Sequence, residues 1–201
     1  MTKHRITRRQ ALLSLPALAA GSKALAQSGN SPIRVRSLSH ITVTVSDRQR
    51  SVEFYQGLFG LPIQHRQSSS TGLRIGSGLQ YISMAQGGAN SRPGIGHLCM
   101  TVDGFNVERV TKTLAGHGVS EGSRGPMTRW VRMRAPLTKD APGDTPEVYF
   151  GDPDGLVVQL QDVSYCGGTG PLGSQCRPLE PPPKKGLFCG ARLQPFHPAR
   201  V

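Results

Sequence analysis

No apolar run in this 201-residue chain is long enough to cross a bilayer as a helix. Residues 11–20 (ALLSLPALAA) fall well short of the ~20 residues that a span needs. Acidic residues are scarce, 12 against 24 Lys and Arg, but the surplus sits at the two ends. Residues 1–26 carry five basic side chains (Lys3, Arg5, Arg8, Arg9, Lys23) and no acid, and the stretch after Asp162 carries five more with only Glu180. Between Arg34 and Asp162, fourteen basic residues face eleven acidic ones, a balance of only +3. Aromatics make up 5%, so no basic stripe interleaved with aromatics remains, which argues against nucleic acid as a partner. There is no zinc-type CxxC, no phosphate-cradling glycine loop, no Ser-His-Asp arrangement and no paired-carboxylate pattern. Several common catalytic chemistries therefore fall away.

What is present begins with the ends. A basic start (TRRQ, residues 7–10), the short apolar stretch and Ala24-Leu25-Ala26 predict a secretory signal over residues 1–26. The Arg8-Arg9 pair resembles a twin-arginine export signal, which carries folded proteins, and residues 27–34 read as a linker. The expected destination is periplasmic or extracellular, with no stable membrane anchor. In an oxidising compartment Cys166 and Cys176, in YCGGTGPLGSQC, are candidates for one disulfide, two free thiols being the other reading. Cys99 lies in an apolar strand pattern and reads as a small buried hydrophobe. Residues 166–201 read as a Gly/Pro-rich tail; from Pro178 onward the pattern is lost and Pro181-Pro182-Pro183 favours an extended spacer. That tail reads as a disordered end or a truncated linker to a second module.

The middle, residues 35–165, reads as one domain made of a repeat, with modules at 35–86 and 94–163. SHITVTV (39–45) and GHLCMTV (96–102) each open on a histidine. After the first come Ser46-Asp47 as a helix cap, then Val52, Tyr55, Leu58 and Phe59 at helical spacing, with Gly60 as stop. After the second come Asp103-Gly104, then Val107, Val110 and Leu114, with Gly118 as stop. Strand-like runs follow at 62–66, 73–75 and 79–84, and again at 129–133, 148–150 and 156–160, with a looser stretch from Val119. The predicted fold class is α+β, two βαβββ modules. A lone module cannot cover both faces of its sheet, so two pack together.

SHITVTVSD with SVEFYQGLFGLPI, then GHLCMTV, then YFGDPDGLVVQLQD, resemble the vicinal oxygen chelate superfamily, the glyoxalase, bleomycin-resistance and extradiol-dioxygenase group. The resemblance implies an incomplete barrel whose metal ligands project inward from the first and last strands of each module. It assigns His40, His97 and Gln159 to a divalent metal, with Fe(II) favoured and Mn, Zn or Ni open. Strand alternation agrees: His40 shares a face with Thr42 and Thr44, and His97 with Cys99 and Thr101, opposite the apolar Ile41, Val43, Val45 and Leu98, Met100, Val102. A neutral imidazole offers a lone pair to such ions. Two histidines that merely hydrogen-bond the modules together are the other reading. Family metalloenzymes usually carry glutamate where this chain has Gln159, so a bound ion keeps its full charge unless a substrate supplies anionic oxygens.

The resemblance implies a small-molecule substrate that chelates through vicinal oxygens, with ring-cleaving dioxygenase chemistry first and a glyoxalase-like lyase or isomerase next. A metal-free, bleomycin-resistance-like binding protein is the third class, and a homodimer is compatible with all three. Candidate substrate contacts are Gln80, Arg132 and Tyr149. Arg132 and Arg134 share a strand face, which a solvated edge also explains, and Trp130 and Tyr149 suit either pocket or packing. His65 is expected to be exposed, His117 to sit at a helix C-terminus, and Asp152 and Asp154 to serve a turn.

Overall fold

A computed structural model describes residues 30–134 and 145–183. Residues 1–29, which include the expected signal, the C-terminal residues 184–201 with Cys189, and the segment 135–144 lie outside the described residues. Among the described residues no helix is long and apolar enough to cross a membrane.

Two copies of one strand–helix–strand pattern build the domain. The first runs β1 (Val35–Val45), α1 (Arg48–Phe59), β2 (Ile63–Arg66), β3 (Ser70–Arg74) and β4 (Tyr81–Gln86). The second runs β5 (Gly94–Val102), α2 (Val107–Gly116), the two-residue β6 (Ser120–Glu121), β7 (Thr128–Met133), β8 (Pro146–Gly151) and β9 (Val157–Asp162). In each copy the opening strand pairs parallel with the closing one, β1 with β4 and β5 with β9, and antiparallel pairs follow. The antiparallel β1–β5 pair welds the halves into one nine-stranded sheet, ordered β2-β3-β4-β1-β5-β9-β8-β7-β6.

Local chemistry sets the helix ends. Asp47 caps α1 by accepting from the Arg50 N–H, and Gly60 ends it in the left-handed conformation (φ 65°) that favours glycine. In the second copy the cap is Asn106, accepting from the Arg109 N–H. Asp103 and Gly104, the expected cap, instead form the preceding turn, and Asp103 pairs with Arg34 and Arg36. Each helix covers one apolar cluster: Val52, Ile63, Leu73 and Met84 under α1, and Val102, Val110, Leu114, Val148 and Leu160 under α2. Leu58 and Phe59 do not join the first cluster. They are 58% and 60% exposed, because the buried side of α1 runs through Val52 and Gln56.

The largest difference from the sequence reading lies after β9. Residues 166–180, the described start of the expected tail, continue from 163–165 as a strap laid along the domain. Ile63 and Glu180 exchange two backbone hydrogen bonds (2.8 and 2.9 Å) at the β2 edge, and Arg66 reaches the Glu180 carboxylate at 3.0 Å. At the other half, Arg134 donates to the Gly168 carbonyl and Thr145 to that of Gly170. Cys166 and Cys176 are joined as a disulfide, with Cα atoms 6.3 Å apart. The strap lacks hydrophobic periodicity because backbone polar groups, not an apolar face, hold it down. Pattern reading is blind to that.

Candidate functional site

The face of the sheet opposite the helices lines a half-open cavity of about 240 Å³. β1 supplies His40, Thr42 and Thr44; β5 supplies His97; β9 supplies Gln159; β8 supplies Glu147 and Tyr149; β4 supplies Tyr81 and Ser83. Alternation explains the set, since the residues between them (Ile82, Met84, Leu98, Met100, Val148, Val158, Leu160) belong to the apolar clusters beneath the helices.

At its centre the two repeat histidines meet. In the β1–β5 register Thr42, not His40, is the partner of His97, so the imidazoles approach diagonally, Nε2 to Nε2 at 3.3 Å. Thr42 Oγ1 is 3.1 Å from the same nitrogen of His97, and Ser39 Oγ is 3.2 Å from His40 Nδ1. Burial, helped by the neighbouring His97 and His65, holds His40 well below the usual histidine range. Burial and the Arg132 guanidinium bring His97 down to about 4. Both rings are therefore neutral at pH 7, with lone pairs to offer. The Gln159 amide oxygen lies against both rings, opposing those shifts, and its Nε2 is buried without a partner.

These residues fit a divalent ion, though with a neutral donor set. Two imidazole nitrogens about 2.0–2.1 Å from one ion, at a near-tetrahedral angle, stand about as far apart as these two do. A Ser39 hydroxyl on the far nitrogen of His40 suits a tautomer whose Nε2 lone pair is free. Among the described residues no group of three His, Cys, Asp or Glu is gathered as an ion cage. The third protein donor would be the Gln159 amide oxygen, while its buried, partnerless Nε2 is an N–H donor suited to an oxygen of a bound molecule.

Beside the pair lies a carboxylate the sequence reading did not single out. Glu147, 3% exposed, takes two hydrogen bonds from Arg132 (3.0 and 2.6 Å) and one from the Tyr149 hydroxyl (2.9 Å). Arg132 also donates to Tyr149 at 2.8 Å. Burial and Glu147 push the Tyr149 phenol up, so it keeps its proton at any ordinary pH. Its ring stands edge-on to His97 with centroids 5.4 Å apart and stacks on Trp130 at 5.5 Å. The signal was available: Val148 and Phe150 read as core, so Glu147 and Tyr149 had to face the other way.

Other candidates fall differently. Arg132 and Tyr149 line the cavity, whereas Gln80 precedes β4 and does not. Arg134 is not on a solvated edge but buried, donating to Thr145, Tyr165 and Gly168. His65, expected to be exposed, is 8% exposed and lines the cavity, because the strap covers its strand. Asp152 accepts from the Asp154 and Leu156 N–H groups, a turn role. His117 ends α2, and Cys99 is fully buried.

The family model described as "Glyoxalase/Bleomycin resistance protein/Dioxygenase superfamily" matches residues 37–160. No curated protein matches the chain. Among solved structures, the chain is similar to methylmalonyl-CoA epimerase from Mycobacterium tuberculosis (15% identity, TM-score 0.49, 67% of this chain and 91% of that one). It is also similar to the 2,3-dioxygenase LapB from Pseudomonas sp. KL28 (18%, TM-score 0.48, 68% and 43%). A third is the Mn(II)-bound glyoxalase from Novosphingobium aromaticivorans (19%, TM-score 0.49, 67% and 40%). The chain spans less than half the length of these last two.

Proposed function

Because the chain belongs to the Glyoxalase/Bleomycin resistance protein/Dioxygenase superfamily, we propose that it is a metal-dependent enzyme acting on a small substrate with two adjacent oxygens. The reaction class favoured is ring-cleaving oxygenation, with glyoxalase-like isomerisation or lysis as the alternative. The observation that carries the reading is the 3.3 Å approach of two neutral imidazole nitrogens in the lining of a polar cavity.

His40, His97 and the Gln159 amide would hold the ion, Fe(II) by preference. Bound there, a divalent ion supplies Lewis acidity and a template for the substrate oxygens. The rest falls to the chain. At about 240 Å³ the cavity is smaller than most drug-sized sites, which suits a single ring or less. Arg132 presents a guanidinium at the cavity wall and orients an anionic group. Tyr149 donates its single hydroxyl proton to Glu147 and stands edge-on to His97, so it forms a fixed polar wall beside the histidine pair. Glu147 accepts that hydrogen bond together with two from Arg132, which ties the three side chains into one unit at the cavity wall. Because the protein donors are all neutral, the substrate's own oxygens must bring the negative charge.

The test is anaerobic loading with Fe(II), then metal analysis and oxygen uptake with a panel of catechols and 2-oxoaldehyde hemithioacetals. The expected result is about one equivalent of bound iron, lost in His40→Ala and His97→Ala, with turnover of one substrate class. A metal-free binding protein, the reading favoured by glutamine at 159, would show substoichiometric iron unchanged in either variant. Export to an oxidising compartment belongs to the same proposal; the Arg8-Arg9 motif and the Cys166–Cys176 bond support it.

A further inference from the structure

The family match ends at residue 160, yet the site does not. Tyr165 is 2% exposed, lines the cavity and brings its ring within 5.9 Å of the His40 ring, on which Tyr81 also stacks at 4.4 Å. Its hydroxyl accepts from Arg134 at 3.3 Å and approaches Glu147 Oε1 at 3.5 Å. We propose that Tyr165 is a positioning residue for His40, delivered by a strap from outside the family domain and latched in place by the Cys166–Cys176 disulfide.

The strap is shaped around the rings of the site. Gly173 has φ 64°, and a side chain there would put its first carbon 2.6 Å from the Tyr165 ring. Gly167 has φ 76°, and its first side-chain carbon would meet His65 Nδ1 at 2.5 Å. Both positions combine the left-handed backbone with a neighbour that only hydrogen can clear. Between them the bonded loop folds on itself: the Cys166 and Gly168 N–H groups both donate to the Gly173 carbonyl, at 3.1 and 3.0 Å. Outside contacts then fix it to both halves of the sheet. Gln64 on β2 donates to the Cys166 carbonyl at 2.8 Å, and Arg134 and Thr145 hold the second half. Tyr165 is thus clamped directly beside a half-cystine, and loosening the loop releases the ring that packs on His40.

Opening the latch needs an external dithiol. It supplies two electrons and two protons, the sulfur–sulfur bond breaks to two thiols, and the dithiol closes to its own disulfide.

This inference rests on the metal reading above, so the test has one arm with metal and one without. Ni(II) affinity of the whole chain is measured by calorimetry for the oxidised form, the dithiol-reduced form, Cys166→Ser/Cys176→Ser, Tyr165→Ala and Tyr165→Phe. Leu172→Ala, an exposed strap position, is the control. A cooperative urea transition checks that each form folds. Loss of a group that orients a ligand costs ~10–100-fold in metal affinity, and that weakening is expected for reduction, the double serine variant and Tyr165→Ala. Tyr165→Phe, which keeps the ring, should recover most of it, and Leu172→Ala should match the parent. Equal affinity in oxidised, reduced and Tyr165→Ala forms would overturn the proposal. If the parent binds no Ni(II), the metal reading falls by itself, and imidazole nitrogen NMR of the metal-free protein decides. His40 should then hold one tautomer in the oxidised parent and average between tautomers in Tyr165→Ala. An unchanged His40 spectrum would refute the positioning role.

Discussion

Replacing His65 by glutamine should change how stability depends on pH by an amount the structure sets. Burial, reinforced by the Arg134 guanidinium, brings His65 down to about 4, from 6.5 for a free histidine, while the Cys166 backbone opposes the shift only in part. The folded state thus disfavours the proton that the unfolded chain accepts. Above pH 6.5 neither state is protonated and the ring costs nothing. Between 6.5 and 4 the unfolded state binds a proton that the native state refuses, so stability falls as pH falls, by up to about 1.4 kcal/mol per pH unit. Below 4 both states are protonated and the loss levels off. Integrated from pH 7.5 to pH 4, His65 alone removes about 3 kcal/mol, a large part of the 5–15 kcal/mol typical of a domain. Other groups titrate over the same range, so the difference between parent and His65→Gln is the quantity to read. Urea unfolding of both, followed by the emission of Trp130, the single tryptophan, gives two stability curves. Whatever packing His65→Gln loses at neutral pH, its deficit relative to the parent should shrink, or reverse, by about 3 kcal/mol on reaching pH 4. Parallel curves would refute the burial of an uncharged His65.

Two further substitutions test other parts of the site. Gln159→Glu puts a charged oxygen between His40 and His97 in place of a neutral one, and Ni(II) or Fe(II) should bind at least ~10-fold more tightly by calorimetry; unchanged affinity would remove residue 159 from the ion's surroundings. Gly167→Ala adds a side chain at positive φ against the His65 ring, whereas Gly60→Ala meets positive φ alone with nothing within 4 Å. Urea unfolding should show Gly60→Ala losing about 1 kcal/mol and Gly167→Ala clearly more, about 2–4; equal losses would mean that the strap does not press on His65.

The sequence carried the repeat and the histidine pair because both are local signals. Alternation along SHITVTV and GHLCMTV decides which face each imidazole takes, and the duplication decides that the two faces coincide. Glu147 was legible by the same rule from its neighbours Val148 and Phe150. His65 was not. On β2 it sits at a sheet edge, where a polar strand looks solvated, and its burial comes from Gly167, about a hundred residues along the chain. Nor was the strap legible, because it is fixed by carbonyls taking hydrogen bonds from Gln64, Arg134 and Thr145, and carbonyls leave no mark in composition. The cap of α2 shifted from Asp103 to Asn106 for a related reason: Asp103 was already engaged by two arginines from β1 and the stretch before it.

Among the described residues one free thiol remains, and it affects how the chain can be handled. Cys99 is sealed beneath the sheet, and burial pushes its thiol well above the normal range, so almost none of it is in the ionised form that attacks another sulfur. Among the described residues the native fold therefore carries a thiol and a cystine without exchange between them. Once denatured, the same thiol ionises normally and can capture either half of the bridge. Recovery from denaturant should accordingly be cleanest in mild acid or with a shuffling couple present, and poorest in alkaline buffer without one.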